Sequence, residues 1–166
     1  ILEDIATKAY RRPATKDEVE KLVKLCEMLV KKGETPSNAL KAGLQAILVS
    51  PKFLFHVEID PDPNSTAPHK VNQFELANRL SYFLWSTMPD TVLFDLAKQN
   101  KLYEKGVLEE QVTRMIKDPK AKAFTLNFPE QWLHLRNLKT INPDKAKFPT
   151  FTDALRDDMA KEAELF

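Results

Sequence analysis

Eleven prolines against three glycines restrict how this chain can fold more than any other feature, because the prolines fall mostly between periodic hydrophobic segments. Proline lacks an amide hydrogen and clashes with the preceding helical turn, so it ends a helix or sits in the first turn of one. A chain punctuated in this way reads as short helices with sharp boundaries.

The capping signals agree with that reading. Thr15 and Glu18 form a capping box, in which the threonine oxygen and the glutamate carboxylate each accept a backbone N–H left free at a helix start. The helix that follows carries Val19, Leu22, Val23, Cys26, Leu29 and Val30 on one stripe, and Gly33 closes it. Ahead of it, ILEDIATKAYRR reads as a first helix ending at Pro13. Thr35–Pro36 opens a third helix through Leu40, Leu44, Ile47 and Leu48, and Ser50–Pro51 interrupts it. KFLFHVEI, residues 52–59, is dense in aromatic and β-branched residues, but the chain offers no strand to pair with it, so a short helix is expected.

Residues 60–70, DPDPNSTAPHK, form the clearest linker, since three prolines among small polar residues cannot continue a helix. After it Asn72 caps a helix with Phe74, Ala77, Leu80, Ser81 and Leu84 on one face, widened by Leu76 and Phe83. Further helices follow through Val92, Leu93 and Leu96, and through Val107, Leu108, Val112, Met115 and Ile116. Asp118–Pro119 caps another, with Phe124, Phe128, Trp132 and Leu135, which Pro129 should kink. A last helix, capped near Thr152, aligns Leu155, Met159 and Phe166. The expected fold is all-α, a multi-helix orthogonal bundle of two packed helical lobes. The lobes are residues 1–58 and 72–166, joined by a Pro-rich linker at 59–71 and packed through the aromatic-rich segments near 53–55 and 82–85. Apolar helices without caps at both ends of the sequence read as those of a fragment of a longer polypeptide.

Charge excludes some functions. Lys plus Arg number 25 against 24 Asp plus Glu, and the balance is 10 to 8 up to residue 58 and 15 to 16 after it, so neither part is a basic arm for nucleic acid. No apolar run reaches the roughly 18 residues of a membrane span. The lone Cys26 cannot form an intramolecular disulfide, and no CxxCH is present to attach haem.

The candidate sites are thin. Asp60, Asp62 and Asn64 alternate like the first ligands of a calcium loop, but Ser65 and Val71 stand where such a loop needs Gly and a bidentate Glu. His56, His69 and His134 have no partner at i+3 or i+4, so no metal ligand spacing exists. Ser81 is followed by Tyr82 and lacks the tight elbow of a nucleophile; it reads as a small residue that lets helices approach. Cys26 lies on an apolar stripe, where a thiolate is disfavoured. Glu109–Glu110 and Asp157–Asp158 are adjacent helical carboxylates that diverge rather than face one another. Phe53, Phe55, Tyr82, Phe83, Trp85, Phe124, Phe128 and Trp132 could line a cofactor pocket, but at helical spacing they are expected in the core, with Trp85 plugging the corner before Pro89. No residue is therefore assigned a catalytic, cofactor-binding or metal-binding role.

The strings YRRPAT, LQAILVSPKFLFHVE, ELANRLSYFLWSTMPD, QVTRMIKDPKAKAF, FPEQWLHL and FPTFTDALRDDMAKEAELF, in that order, resemble two adjoining domains of unknown function from large planctomycete-type proteins that also carry c-type cytochrome segments. One covers residues 1 to about 58 and the other 72 to 166. The resemblance implies an exported protein, periplasmic or extracellular, whose haem c is attached in neighbouring domains and not in this stretch. Its implied partners are other domains of the same polypeptide. The function expected is a helical scaffold or docking module. The alternative is part of a redox enzyme acting on a polymer or small organic substrate, with electrons passed to a neighbouring haem domain and polar groups drawn from Glu75, Arg79 and His134.

Overall fold

A computed structural model describes residues 1–165, except the side chain of Glu164. Among the described residues the fold is all-α, with helices and 3-10 turns and no strand. The helices are α1 (Leu2–Tyr10), α2 (Lys16–Lys31), α3 (Pro36–Leu48), α4 (Pro51–Leu54), α5 (Gln73–Trp85), α6 (Thr91–Lys98), α7 (Val107–Lys117), α8 (Lys122–Trp132) and α9 (Asp153–Leu165). Phe166, expected in line with Leu155 and Met159, lies outside the described residues.

The predicted caps form. The Thr15 side chain accepts from Glu18 N while the Glu18 carboxylate accepts from Thr15 N at 2.8 Å. Thr35 and Thr152 likewise accept a backbone N–H at the starts of α3 and α9, and Ser50 and Asp90, not read as caps from the sequence, do the same for α4 and α6. Asn72 Oδ1 accepts from Phe74 N and Glu75 N, both at 2.9 Å, to start α5. Each cap satisfies donors that a helix start otherwise leaves open, for about 1 kcal/mol.

The chain divides into two compact units: Ile1–Arg79 with Met88–Tyr103, and Leu80–Thr87 with the chain from Glu104 onward. The division falls inside α5, after Arg79.

In unit 1, Ala6, Tyr10, Leu22 and Ile47 form a buried cluster against which Leu2, Ile5, Leu44 and Phe53 pack. Leu22, Leu44 and Ile47 are stripe positions read from the sequence, whereas the fully inward residues of α1 are Ala6 and Tyr10, spaced i, i+4. Gly43 lets α3 approach its neighbours: a Cβ there would lie 2.9 Å from Cys26 Sγ and 3.1 Å from Leu2 Cδ2. Leu93, Ala97 and Leu102 are also buried in this unit, and Phe74 packs on Phe94 with ring centroids 5.2 Å apart.

In unit 2, Trp85 is 3% exposed and donates Nε1–H to Met115 O at 2.9 Å. A buried indole N–H needs such a partner. Arg114 and Lys120 stand over its ring, so Trp85 is the plug expected ahead of Pro89. Ser81 is buried with it.

Two expectations fail. KFLFHVEI is helical only to Leu54; Phe55 is extended at φ −118°, ψ 151° and the chain has no regular structure through Ile59. The reason is tertiary, because α5 side chains hold this segment. The aromatic residues are also not uniformly core: Phe55 is 63%, Phe83 53%, Phe128 47% and Trp132 70% exposed. Phe124, Phe128 and Trp132 recur every four residues on α8, as a core stripe would, but the rings stack on one another at 5.4 and 6.2 Å instead of entering a core. Pro129 lies inside α8, which ends at Trp132, short of Leu135.

Candidate functional site

The cavity with the most polar groups converging on it lies in unit 1. It holds about 390 Å³ and lies between the end of α1, the segment 51–59 and the first half of α5.

Arg11 anchors one wall. It adopts the left-handed conformation that ends α1, φ 56°, which sends its buried side chain away from that helix. Its Nη2 donates to the carbonyls of Lys52, Phe53 and Phe55 at 3.0, 3.1 and 2.9 Å. Carbonyls at a helix C-terminus carry partial negative charge, so a guanidinium suits them.

Beside it, Glu18 is buried between two cations. Arg12 donates to both of its oxygens, at 2.7 and 3.0 Å, and Lys52 Nζ donates to Oε1. The Arg12 hydrogen bonds, with those from Lys52 and from the Thr15 amide, outweigh the burial that opposes ionisation. They hold the Glu18 carboxyl far below the usual carboxylate range.

On the opposite wall, Glu75 is buried and accepts from Asn72 N at 2.8 Å and Ile59 N at 3.1 Å. One carboxylate thus completes the α5 cap and holds the extended segment. One turn further, Arg79 pairs with Glu58 side-on, Nε and Nη2 each donating to one carboxylate oxygen, which lowers the Glu58 carboxyl below its usual value. His56 also lines the cavity, its imidazole pKa pushed down by burial and the nearby Arg11 charge against the weaker pull of Glu58.

Of the polar candidates read from the sequence, the structure brings Glu75 and Arg79 together and adds His56 and Glu58. His134 belongs to unit 2, at a left-handed position opening the 3-10 turn Leu135–Lys139. His69 Nδ1 lies 3.8 Å from Asp60 on the surface. Asp60 and Asp62 spend their oxygens on the amides of Asp62 and Asn64, each at 3.1 Å; these are local turns, not a calcium loop. Cys26 Sγ donates to Ala39 O at 3.2 Å. Glu109, Glu110, Asp157 and Asp158 are exposed. Among the described residues, no group of three His, Cys, Asp or Glu side chains could hold a metal ion, and no helix is long and apolar enough to cross a membrane.

Sequence reasoning found Glu18 as a cap but missed it as the centre of an ion cluster, because Arg12 and Lys52 are joined to it only by the fold. Arg11 was invisible for the same reason; its one local signal was its place just before the Arg12–Pro13 stop.

The carboxylates lining the cavity, Glu58 and Glu75, are each tied to structural partners, while Glu18 lies behind its Arg12 and Lys52 wall. The arrangement can hold a shaped surface of mixed charge.

No curated protein and no solved structure matches the chain. Family models do match it. Residues 1–58 match one described as a protein of unknown function (DUF1595). Residues 71–166 match another, and the two matches flank the Pro-rich segment between α4 and α5. Since that second match covers more than half of its length, this chain belongs to the family described as protein of unknown function (DUF1592).

Proposed function

We propose that the chain is a helical docking module of a larger exported, cytochrome c-linked protein, in which it holds haem-bearing domains of the same polypeptide at fixed distances. The reading places the parent in the periplasm or outside the cell, with haem c attached in the neighbouring domains.

One observation carries the docking role. In unit 1, Leu48, Val49, Leu54, Phe55, Val57 and Ile59 all expose large apolar side chains. Apolar surface this dense along one stretch of a chain that is 30% charged marks an interaction face. The segment is also held in place, through Arg11 on its carbonyls and Glu75 on its amide, so it meets a partner without paying to order itself. The alternative, a redox enzyme drawing on the same cavity, is less well supported, since the carboxylates lining it, Glu58 and Glu75, are each committed to fixed partners.

The test is to express the flanking regions of the parent gene separately, in a host that matures c-type cytochromes, and pass them over this chain. A flank with a Soret band that co-elutes with the chain, and no longer does so with Val57→Asp/Ile59→Asp, is the expected result. Flanks without haem, or haem-bearing flanks that ignore the chain, would overturn the proposal.

A further inference from the structure

We propose that unit 2 carries a binding cleft for a neutral saccharide, between the C-terminal end of α5 and α8. The cleft holds about 460 Å³. Phe83, Phe128 and Trp132 supply its aromatic wall, and Ser86, Asn127 and Gln131 supply hydrogen-bonding groups; no side chain lining it is charged.

The rings are arranged for contact with solvent-borne groups. Phe124, Phe128 and Trp132 stack in a row with interplanar angles of 10° and 26°, and Phe83 meets Phe124 and Phe128 edge-on. The row ends at Trp132, whose indole is 70% exposed. An indole face at the end of a stack presents a flat apolar surface of the size of a pyranose ring, whose C–H face is itself apolar.

The polar groups are pre-set as well. Asn127 Nδ2 donates to Ser86 Oγ at 2.7 Å, and the Asn127 carbonyl oxygen faces Arg136 at 3.4 Å. Because Ser86 Oγ accepts this bond, its own hydroxyl proton can point to a ligand. Among the described residues nothing hydrogen-bonds the Gln131 amide, which offers a donor and an acceptor side by side. Ser86 also sits at φ 52°, a left-handed position just past the end of α5 where glycine is the low-cost choice. A serine there retains a hydroxyl at the cleft at some cost in backbone energy.

Charge matching selects the ligand. No cation stands in the lining itself, and Arg136, which reaches Asn127, is paired with Glu130 at 3.5 Å, so a nucleic acid or other polyanion finds little to replace its counterions. A wholly apolar segment would strip water from Ser86 and Gln131 without replacing those hydrogen bonds. A neutral polyhydroxylated ring satisfies both the faces and the amides.

The two tryptophans make the test direct, because Trp85 is buried and hydrogen-bonded while Trp132 is open. Emission of the 166-residue chain is followed during titration with cellohexaose, xylohexaose and mannohexaose, with a heparin hexasaccharide and an anilinonaphthalene sulfonate dye in parallel. Saturable blue-shifted emission with a neutral hexasaccharide is expected, disappearing in Trp132→Phe, where Trp85 reports alone. Calorimetry with the same sugar should show a loss of affinity of about tenfold or more in Trp132→Ala. Ser86→Gly separates binding from folding: it should raise the thermal midpoint while weakening the sugar. A response to heparin or to the dye alone, or to none of these probes, would overturn the proposal, as would sugar binding unchanged in both Trp132→Ala and Ser86→Gly.

Discussion

Unit 1 and unit 2 use aromatic and charged residues in opposite ways. In unit 1, Tyr10 and Phe53 pack into a helical core while the charges gather into specific partnerships, Glu18 between Arg12 and Lys52 and Glu58 with Arg79. In unit 2, Trp85 and Met115 are buried, but three rings of α8 stack on one another with two of them widely exposed. Helix starts do not separate the units: α2, α3, α4 and α6 in unit 1 and α9 in unit 2 are capped by side chains, whereas α1 in unit 1 and α7 and α8 in unit 2 begin without one. On α8 the i, i+4 aromatic spacing gives an open row rather than a core. Unit 1 thus combines a helical core with an exposed apolar stretch at residues 48–59, whereas the exposed apolar surface of α8 in unit 2 is a row of stacked rings.

The largest break in that comparison should come from Ile47→Ala. Ile47 is fully buried in the α1–α3 cluster, so the truncation should cost about 2–5 kcal/mol, read as a lowered denaturation midpoint. Next is Glu18→Gln, which removes the shared charge from Arg12 and Lys52. Both cations are partly exposed and can rehydrate, so a loss of about 1–3 kcal/mol is expected. The pH dependence has a defined sign. The Glu18 carboxyl is lowered on folding, so its contribution is complete above the unfolded value of about 4.3 and is lost as pH falls toward the folded one. Glu18→Gln should therefore be less stable at neutral pH and should flatten the acid limb of the stability curve. His56, also lowered on folding, acts in the same direction, losing its contribution as pH falls below about 6.5. An acid limb as steep in Glu18→Gln as in the parent would remove Glu18 from the centre of unit 1.

What was legible in the sequence was local. Thr15–Glu18, Thr35–Pro36 and Asn72 announce helix starts because a cap needs only neighbours within one turn. The fate of KFLFHVEI was not legible, since its first three residues obey Ser50–Pro51 and the rest obey Glu75 and Arg79, which are brought alongside only by folding. The α8 rings misled for a related reason. Spacing records which residues share a face, and whether that face is covered depends on another element. The Arg11 clamp on three carbonyls 41 to 44 residues away leaves no pattern in the sequence at all.

A smaller effect probes the close approach of α2 and α3. Gly43→Ala should gain up to about 1 kcal/mol in helix propensity, yet its methyl group would meet Cys26 Sγ at 2.9 Å and Leu2 Cδ2 at 3.1 Å. Overpacking of this kind typically costs about 1–3 kcal/mol, so a modest net destabilisation is expected. Adding Cys26→Ala should recover part of it by vacating the sulfur. If Gly43→Ala alone raised the thermal midpoint, helix propensity would outweigh the packing, and unit 1 would be looser at this crossing than its core suggests.

The smallest effect should fall on the open row of unit 2. Phe128 is 47% exposed and touches mainly Phe83, Phe124 and Trp132. Phe128→Ala exchanges a poorer helix former for the best one, a gain of about 0.5 kcal/mol. It also gives up ring contacts worth about 0.5–1.5 kcal/mol a pair when well formed, and less where water already reaches the rings. The two terms nearly cancel, so chemical denaturation should place the variant within about 1 kcal/mol of the parent, well short of Ile47→Ala. A core residue of the same type would cost about 3–5 kcal/mol. A loss of that size for Phe128→Ala would mean that the row is covered after all, and the contrast between the packed rings of the unit 1 core and the open row of unit 2 would collapse.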